Sequence, residues 1–131
     1  MSGNASRSSK PDRFALSSLI DALPDAIILA DEHGKIVSAN TQAVGMFGYA
    51  RDELVGAFVE ILVPGNLREG HVAQRERYVQ KPRVRPMGVG NVLSAQHKDG
   101  REIPVDIRLA PYQSPDGFLV VASIREVAAR D

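Results

Sequence analysis

The chain contains no cysteine and no tryptophan, and its acidic and basic residues are equal in number. Without cysteine there is no disulfide, no thiolate metal site, no cysteine nucleophile and no cysteinyl–flavin photochemistry. The 16 Lys and Arg residues balance the 16 Asp and Glu residues, whereas a nucleic-acid binder is expected to carry a basic face. No apolar run reaches the roughly 18 residues of a membrane span, and no secretory leader is recognisable. The sequence therefore predicts a soluble cytoplasmic protein that binds neither nucleic acid nor membrane.

The length and the apolar pattern indicate one folded unit with short polar ends. A chain of 131 residues favours a single domain. Residues 1–11 are polar and rich in serine, so we expect a flexible tail. Residues 12–23 have apolar side chains at helical spacing and predict an N-terminal helix for dimerisation or linkage. The folded domain is expected over 24–127, and 128–131 would begin a linker to an output domain or a C-terminal tail.

Short apolar runs separated by turn residues predict the strands. A hairpin is expected from residues 26–30 and 35–39 around His33-Gly34, and Asp99-Gly100 marks a second hairpin turn. Asn40 is expected to cap a short helix that runs through Phe47. Residues 102–112 alternate between apolar and polar, while 118–127 are almost continuously apolar and predict a central strand. With a further strand before the second turn, the pattern is α+β: a five-stranded antiparallel sheet, helices flanking one face, and the N-terminal helix.

Three blocks of sequence resemble, in their order and spacing, the PAS family of sensor domains. They are "ALPDAIILADEHGKIVSAN", "TQAVGMFGYARDELVG" and "HKDGREIPVDIRLAP". The resemblance implies five antiparallel strands and a helical flank that enclose a pocket. It also implies a sensory module of a bacterial signalling protein, such as a two-component system, which acts on an output domain such as a histidine kinase or a cyclase. The sequence contains no hydrolase, metalloprotease or phosphate-loop motif, so we do not expect the module itself to be an enzyme.

The stretch "NLREGHVAQRERYV" predicts a helix that turns a histidine inward. Asn66 and Glu69 have the spacing of a capping box at its start. On a helix of 3.6 residues per turn, Leu67, His71 and Tyr78 share one stripe, so His71 is expected to face the sheet. From the residues alone, it could also be a histidine at the rim of a pocket, bonded to a carbonyl or to water.

This stretch is also similar to the corresponding helix of the haem-binding FixL and Dos types of PAS domain. Those domains place the proximal iron ligand at the position of His71. The similarity implies haem b bound through a neutral imidazole, with the opposite side of the iron open to oxygen, carbon monoxide or nitric oxide. It also implies that Arg77 and Arg85 contact the propionates.

The distal side of such a haem pocket maps onto four further positions. The similarity implies an apolar wall made by Ile107 and Leu109, which both lie on the apolar face of the alternating strand. Asn91 stands where the FixL type has an arginine that hydrogen-bonds oxygen. Asparagine can donate a hydrogen bond, but it is uncharged and reaches less far. Met87 is the other soft axial ligand that the loop offers.

Two alternatives to haem binding remain open, and the sequence also predicts a homodimer and an ion pair. The module could be a cofactor-free PAS domain for homodimerisation and signal relay, or it could bind a small organic ligand. Residues 12–23 contain more apolar side chains than a lone surface helix needs, which predicts a homodimer through this helix and the outer face of the sheet. Lys98 is expected to form an ion pair across the fold with Asp52 or Glu53.

Overall fold

A computed structural model describes residues 13–86 and 93–127 of the chain. Its helices are α1 Arg13–Asp21, α2 Thr41–Phe47, α3 Arg51–Leu54 and α4 Arg68–Gln80. Its strands are β1 Ala26–Asp31, β2 Ile36–Ala39, β3 Arg85–Pro86, β4 Leu93–Gln96, β5 Glu102–Ser114 and β6 Gly117–Glu126. Short 3₁₀ turns lie at Val59–Leu62 and Gly65–Leu67. The predicted α+β class is confirmed.

The strands form one antiparallel sheet in the order β2-β1-β6-β5-β3, with β4 also paired to β5. The longest ladder joins β5 to β6, from Val105 opposite Glu126 to Ser114 opposite Gly117. The strand β6 lies between β1 and β5, as its apolar sequence predicts. The two-residue β3 is a short addition to the five strands that the sequence predicts.

The main core lies between one face of the sheet and the helices α2 and α3. Phe47 of α2, Leu54 of α3 and Val105 of β5 have no exposed surface. Alternation along β5 directs Ile103 and Val105 to this face. The complete cluster comprises Ala26, Ile28, Ile36, Ala39, Ala43, Phe47, Leu54, Leu62, Ala95, Ile103, Val105 and Ile124.

Asn40 joins three elements at the edge of this core. As predicted, it caps α2: its side-chain oxygen accepts hydrogen bonds from the backbone N–H groups of Ala43 and Ile27, at 3.0 and 2.9 Å. Its amide nitrogen donates to the carbonyls of Ile20 and Asp25, at 2.7 and 2.9 Å. Asn40 is almost fully buried, and this one side chain satisfies four backbone groups, of which three are buried and that of Asp25 is partly buried.

The N-terminal helix packs on the opposite, outer face of the sheet. Ile20 of α1 is buried against Ile27 and Leu29 of β1. Leu19, its neighbour, is 61% exposed. The described helix covers Arg13–Asp21, which is shorter than the predicted range of 12–23. Throughout the described ranges, no helix has both the length and the apolar character that a membrane crossing requires.

The start of α4 differs from the prediction. The helix begins at Arg68 with Leu67 as the residue before it, and no side chain caps it, so the predicted capping box of Asn66 and Glu69 does not form. Pro64 instead leads into a 3₁₀ turn, and the side chain of Arg68 donates to the carbonyl of Val63 at 2.8 Å, which stabilises this turn. Leu67 lies in the turn and is 53% exposed, so it does not join the inward stripe.

Candidate ligand-binding site

A cavity of about 590 Å³ lies between α4 and the sheet. This volume falls within the range of roughly 300–1,000 Å³ that small-molecule sites occupy. The wall formed by the strands is mainly apolar and includes Ile28, Ala30, Leu93, Leu109, Val120 and Ala122, with the acidic Asp31 at the end of β1. The opposite wall is polar and includes His71, Gln74, Arg75, Arg77 and Tyr78 from α4. A ligand in this cavity would meet an apolar face on one side and hydrogen-bonding groups on the other.

His71 faces the cavity, as predicted from the helical stripe, and its ring has a partner that the sequence did not indicate. The Nδ1 atom lies 2.7 Å from Oε2 of Glu60, and the His71 side chain is 20% exposed. An ionised carboxylate can only accept hydrogen bonds, so the proton of this bond is on Nδ1. No group of the described residues hydrogen-bonds Nε2, which is therefore available to a ligand.

Glu60 is held in place by Arg75. The guanidinium donates from Nε to Oε2 at 2.9 Å and from Nη2 to Oε1 at 3.1 Å, which is the two-pronged geometry of a strong arginine–carboxylate pair. Burial by itself raises the pKa of Glu60, but the hydrogen bonds from Arg75 and His71 outweigh it, and the pKa lies below its ordinary value. Sequence analysis missed both residues; the one available signal was an acid inside the apolar run "FVEILVP".

Besides Arg75, three cationic residues of the described ranges line the cavity. The similarity to the FixL type indicates one of them, Arg77. Arg77 lines the cavity, and so do Lys81 and Arg83, which sequence analysis missed. The Tyr78 hydroxyl donates to the carbonyl of Arg83 at 2.6 Å and so fixes the chain where it leaves α4. For Arg85 the structure describes the backbone, which pairs with Leu109.

The other residues that the similarity to the FixL type indicates are Leu109, Ile107, Met87 and Asn91. Leu109 lines the cavity. Ile107 instead packs against the core cluster around Val105 and is not among the lining residues. Met87 and Asn91 lie outside the described residues.

Comparison with known proteins identifies the family. Residues 15–125 match the model of the PAS fold. The chain belongs to the PAS family. Among solved structures, a PAS domain of an HTR-like protein from Haloarcula marismortui has a TM-score of 0.70 at 17% identity, covering 88% of this chain and 96% of that one. The LOV protein of Rhodobacter sphaeroides has a TM-score of 0.73 at 19% identity, covering 88% and 67%.

Two curated relatives are sensor proteins. The chain is 31% identical over 99 residues to the sensor protein FixL of Bradyrhizobium diazoefficiens, covering 76% of this chain and 20% of FixL. It is 24% identical over 101 residues to the oxygen sensor protein DosP of Escherichia coli, covering 77% of this chain and 13% of DosP. The chain thus spans a fifth or less of the length of these relatives. It is a PAS sensory module of the kind that signalling proteins carry.

The donor atoms of this PAS domain limit which metal species it could hold. Within residues 13–86 and 93–127, no group of three or more His, Asp or Glu side chains is placed to ligate a metal ion. A single cavity-facing histidine instead suits a metal that brings its own equatorial ligands, as the iron of haem does. The apolar wall, the single imidazole and the nearby cations fit an amphiphilic macrocycle with carboxylates.

The predicted ion pair across the fold is present, with Glu53 as the partner of Lys98. The Lys98 ammonium donates to both carboxylate oxygens of Glu53, at 3.0 and 2.8 Å. Oε1 of Glu53 also accepts from the backbone N–H of Ala50 at 2.8 Å, which fixes the carboxylate at the start of α3. Because half of each side chain is exposed, the pair orients α3 against the β4–β5 turn more than it stabilises the fold.

Proposed function

We propose that this PAS module binds haem b in the cavity beneath α4, with His71 as the iron ligand, and that it senses a diatomic gas. The observation that carries the proposal is the environment of His71. Its Nδ1 is bonded to a carboxylate, and its Nε2 is available at the wall of a cavity of about 590 Å³. This is the neutral tautomer and the outer-shell hydrogen bond that metal-ligating histidines have in general. When bound, haem iron supplies a coordination position for oxygen, carbon monoxide or nitric oxide.

The other residues have supporting roles in this proposal. Arg77 would bind a propionate, because it lines the cavity and its charge is complementary. Arg85 has the same role by similarity to the FixL type. Leu109 would form part of the apolar wall on the gas-binding side. Ile107 has the same role by similarity to the FixL type, although its side chain packs against the core cluster. Asn91 would offer the bound gas a weak polar contact, and Met87 would be the alternative axial ligand.

The relatives support a role in bacterial signal transduction. One is named an oxygen sensor protein, and a stretch of 47 residues is 40% identical to the cell-division control histidine kinase PdhS of Brucella ovis, covering 36% of this chain and 4% of PdhS. We therefore propose a cytoplasmic module of a homodimeric two-component protein. Haem occupancy would alter the packing of α4, and the sheet would pass the change to an output domain.

Reconstitution with hemin tests the proposal directly. We expect the purified protein to take up hemin and to give a Soret band, and His71→Ala to abolish this band while far-UV circular dichroism remains unchanged. The matched control is Gln74→Ala, which alters the same wall of the cavity one helical turn away and should keep the band. If wild type and His71→Ala give the same spectrum, His71 is not the iron ligand.

A second candidate function is the binding of a small organic acid. Arg77, Lys81 and Arg83 line the cavity, and their side chains form no ion pair with any other residue that the structure describes. Elsewhere, cations such as Arg75 and Lys98 have carboxylate partners. An organic anion bound in this way would raise the melting temperature of wild type and of His71→Ala equally, whereas stabilisation by hemin would require His71.

A further inference from the structure

We infer that Glu60, held by Arg75, sets the tautomer and the orientation of His71, and thereby presents the lone pair of Nε2 to the cavity. Glu60 would not touch the ligand, so it is a positioning residue. The inference deepens the proposed function. Its first half, the tautomer, concerns the protein without any ligand. Its second half, the strength of His71 as an iron ligand, rests on haem binding.

The geometry leaves the carboxylate little freedom. Oε2 of Glu60 accepts from both Nδ1 of His71 and Nε of Arg75, and Oε1 accepts from Nη2 of Arg75. Arg75 is itself fixed, because its Nη1 donates to the carbonyl of His33 at 2.6 Å. The three side chains are only 12–20% exposed, so water competes weakly for these charge-assisted bonds.

This arrangement selects one of the two neutral forms of the imidazole. A neutral ring has one N–H group and one lone pair, and the position of the proton follows from the hydrogen bond that each nitrogen makes. The Glu60 carboxylate requires the proton on Nδ1, so the lone pair is on Nε2. Arg75 already provides Glu60 with a full counterion, so the hydrogen bond does not require a second positive charge on His71.

The same hydrogen bond has a consequence for metal binding. A carboxylate that accepts from the second ring nitrogen raises the basicity of a histidine ligand, and the loss of such a partner typically lowers metal affinity about 10–100-fold. Increased basicity also favours ferric over ferrous iron. Arg75, on the far side of Glu60, neutralises part of the carboxylate charge and so reduces the increase in the basicity of His71. The Glu60–Arg75 pair therefore sets how strongly His71 binds iron.

Two variants separate this role from a simple structural ion pair. Glu60→Ala removes the acceptor but leaves the Arg75 charge without its partner, which could impair folding. The double variant Glu60→Leu/Arg75→Met removes both charges together, and exchange of a whole ion pair for apolar side chains is often tolerated. Glu53→Ala is the matched control, because it removes a carboxylate from a different, exposed ion pair.

The first measurement is the tautomer of His71 in the ligand-free protein, by two-bond ¹H–¹⁵N correlation under alkaline conditions where imidazoles are neutral. We expect the Nδ1–H form in wild type and in Glu53→Ala. In Glu60→Ala and the double variant, we expect a shift to the Nε2–H form that free histidine prefers. His33, whose ring is largely exposed, is the internal reference. An Nε2–H form in wild type, or no change in either variant, overturns the inference.

The second measurement is hemin affinity and the reduction potential of the bound iron. We expect the double variant to bind hemin about 10–100-fold more weakly and at a higher potential than wild type and Glu53→Ala. A tautomer change without either effect would refute the claim about ligand strength. If wild type binds no hemin, the proposed function is wrong, and the tautomer measurement still decides whether Glu60 positions His71.

Discussion

Arg75 lies directly against Gly34 in the turn between β1 and β2. A β-carbon at Gly34 would overlap the Arg75 guanidinium, and the backbone there has a φ of +84°, which favours glycine. The same guanidinium binds Glu60 and the carbonyl of His33. One side chain of α4 thus joins the first hairpin of the sheet to the residue that holds His71.

The contact predicts that Gly34→Ala is more harmful than another substitution of a glycine with positive φ. Gly56 has a φ of +97°, but no atom of a non-adjacent residue in the described ranges lies within 4 Å of the position of its β-carbon. We expect Gly56→Ala to cost about 1–2 kcal/mol from backbone strain alone. Gly34→Ala should cost at least about 1 kcal/mol more, because it also displaces Arg75 from Glu60. Urea unfolding measures both values, and equal costs would contradict the role of the contact.

The buried position of Asn40 predicts a large loss of stability on its truncation. Asn40→Ala leaves four backbone groups without their partner, those of Ile20, Asp25, Ile27 and Ala43. We expect it to destabilise the domain by about 3 kcal/mol or more. Asn66→Ala is the matched control at an exposed residue that caps nothing, and it should change the free energy of unfolding by less than about 0.5 kcal/mol. Thermal and urea denaturation compare the two variants.

The Glu53–Lys98 pair predicts a small, salt-sensitive dependence of stability on pH. The hydrogen bond from Lys98, followed by that from the Ala50 N–H, lowers the pKa of Glu53 from its ordinary value of 4.5. The carboxylate therefore stabilises the fold above pH 4.5, and this contribution is lost as the pH falls through the lowered pKa of the folded state.

Glu53→Gln should flatten the decline in the free energy of unfolding below pH 4.5 relative to wild type. Asp52→Asn is the control, since it removes the neighbouring carboxylate and leaves the Glu53–Lys98 ion pair in place. Added salt should reduce the difference between wild type and Glu53→Gln, because the pair is exposed. An identical pH profile for wild type and Glu53→Gln would show that the pair contributes nothing.

The outer face of the sheet predicts self-association, as the apolar N-terminal helix suggested. Leu19 of α1 and Tyr112 of β5 are exposed large apolar side chains, and Leu19 is 61% exposed. We expect a homodimer at micromolar concentration by light scattering, and Leu19→Glu should convert it to a monomer. Leu67→Glu, at a leucine of similar exposure beside α4, should leave the dimer intact. A wild-type monomer would refute the prediction.

Local patterns in the sequence were sufficient to predict most of the helices and strands and to recognise the PAS family. Asn40 before α2, the hairpin around His33-Gly34 and the alternation along 102–112 each depend on neighbouring residues, and the structure confirms them. The prediction failed at Asn66 and Leu67, where the local signals conflict. A capping box and a 3₁₀ turn compete for the same residues, and the bonds from Arg68 to the preceding carbonyls favour the turn.

The sequence by itself determined that His71 would face inward, because helical periodicity fixes the direction of a side chain relative to its own axis. It could not determine which atoms would meet the imidazole. Glu60 lies 11 residues before His71, in a separate 3₁₀ turn, and Arg75 reaches Glu60 and the β1–β2 turn at the same time. Only the tertiary structure decided these contacts, because they depend on how α4 packs over the sheet, and no periodicity within one element encodes the distance between two elements.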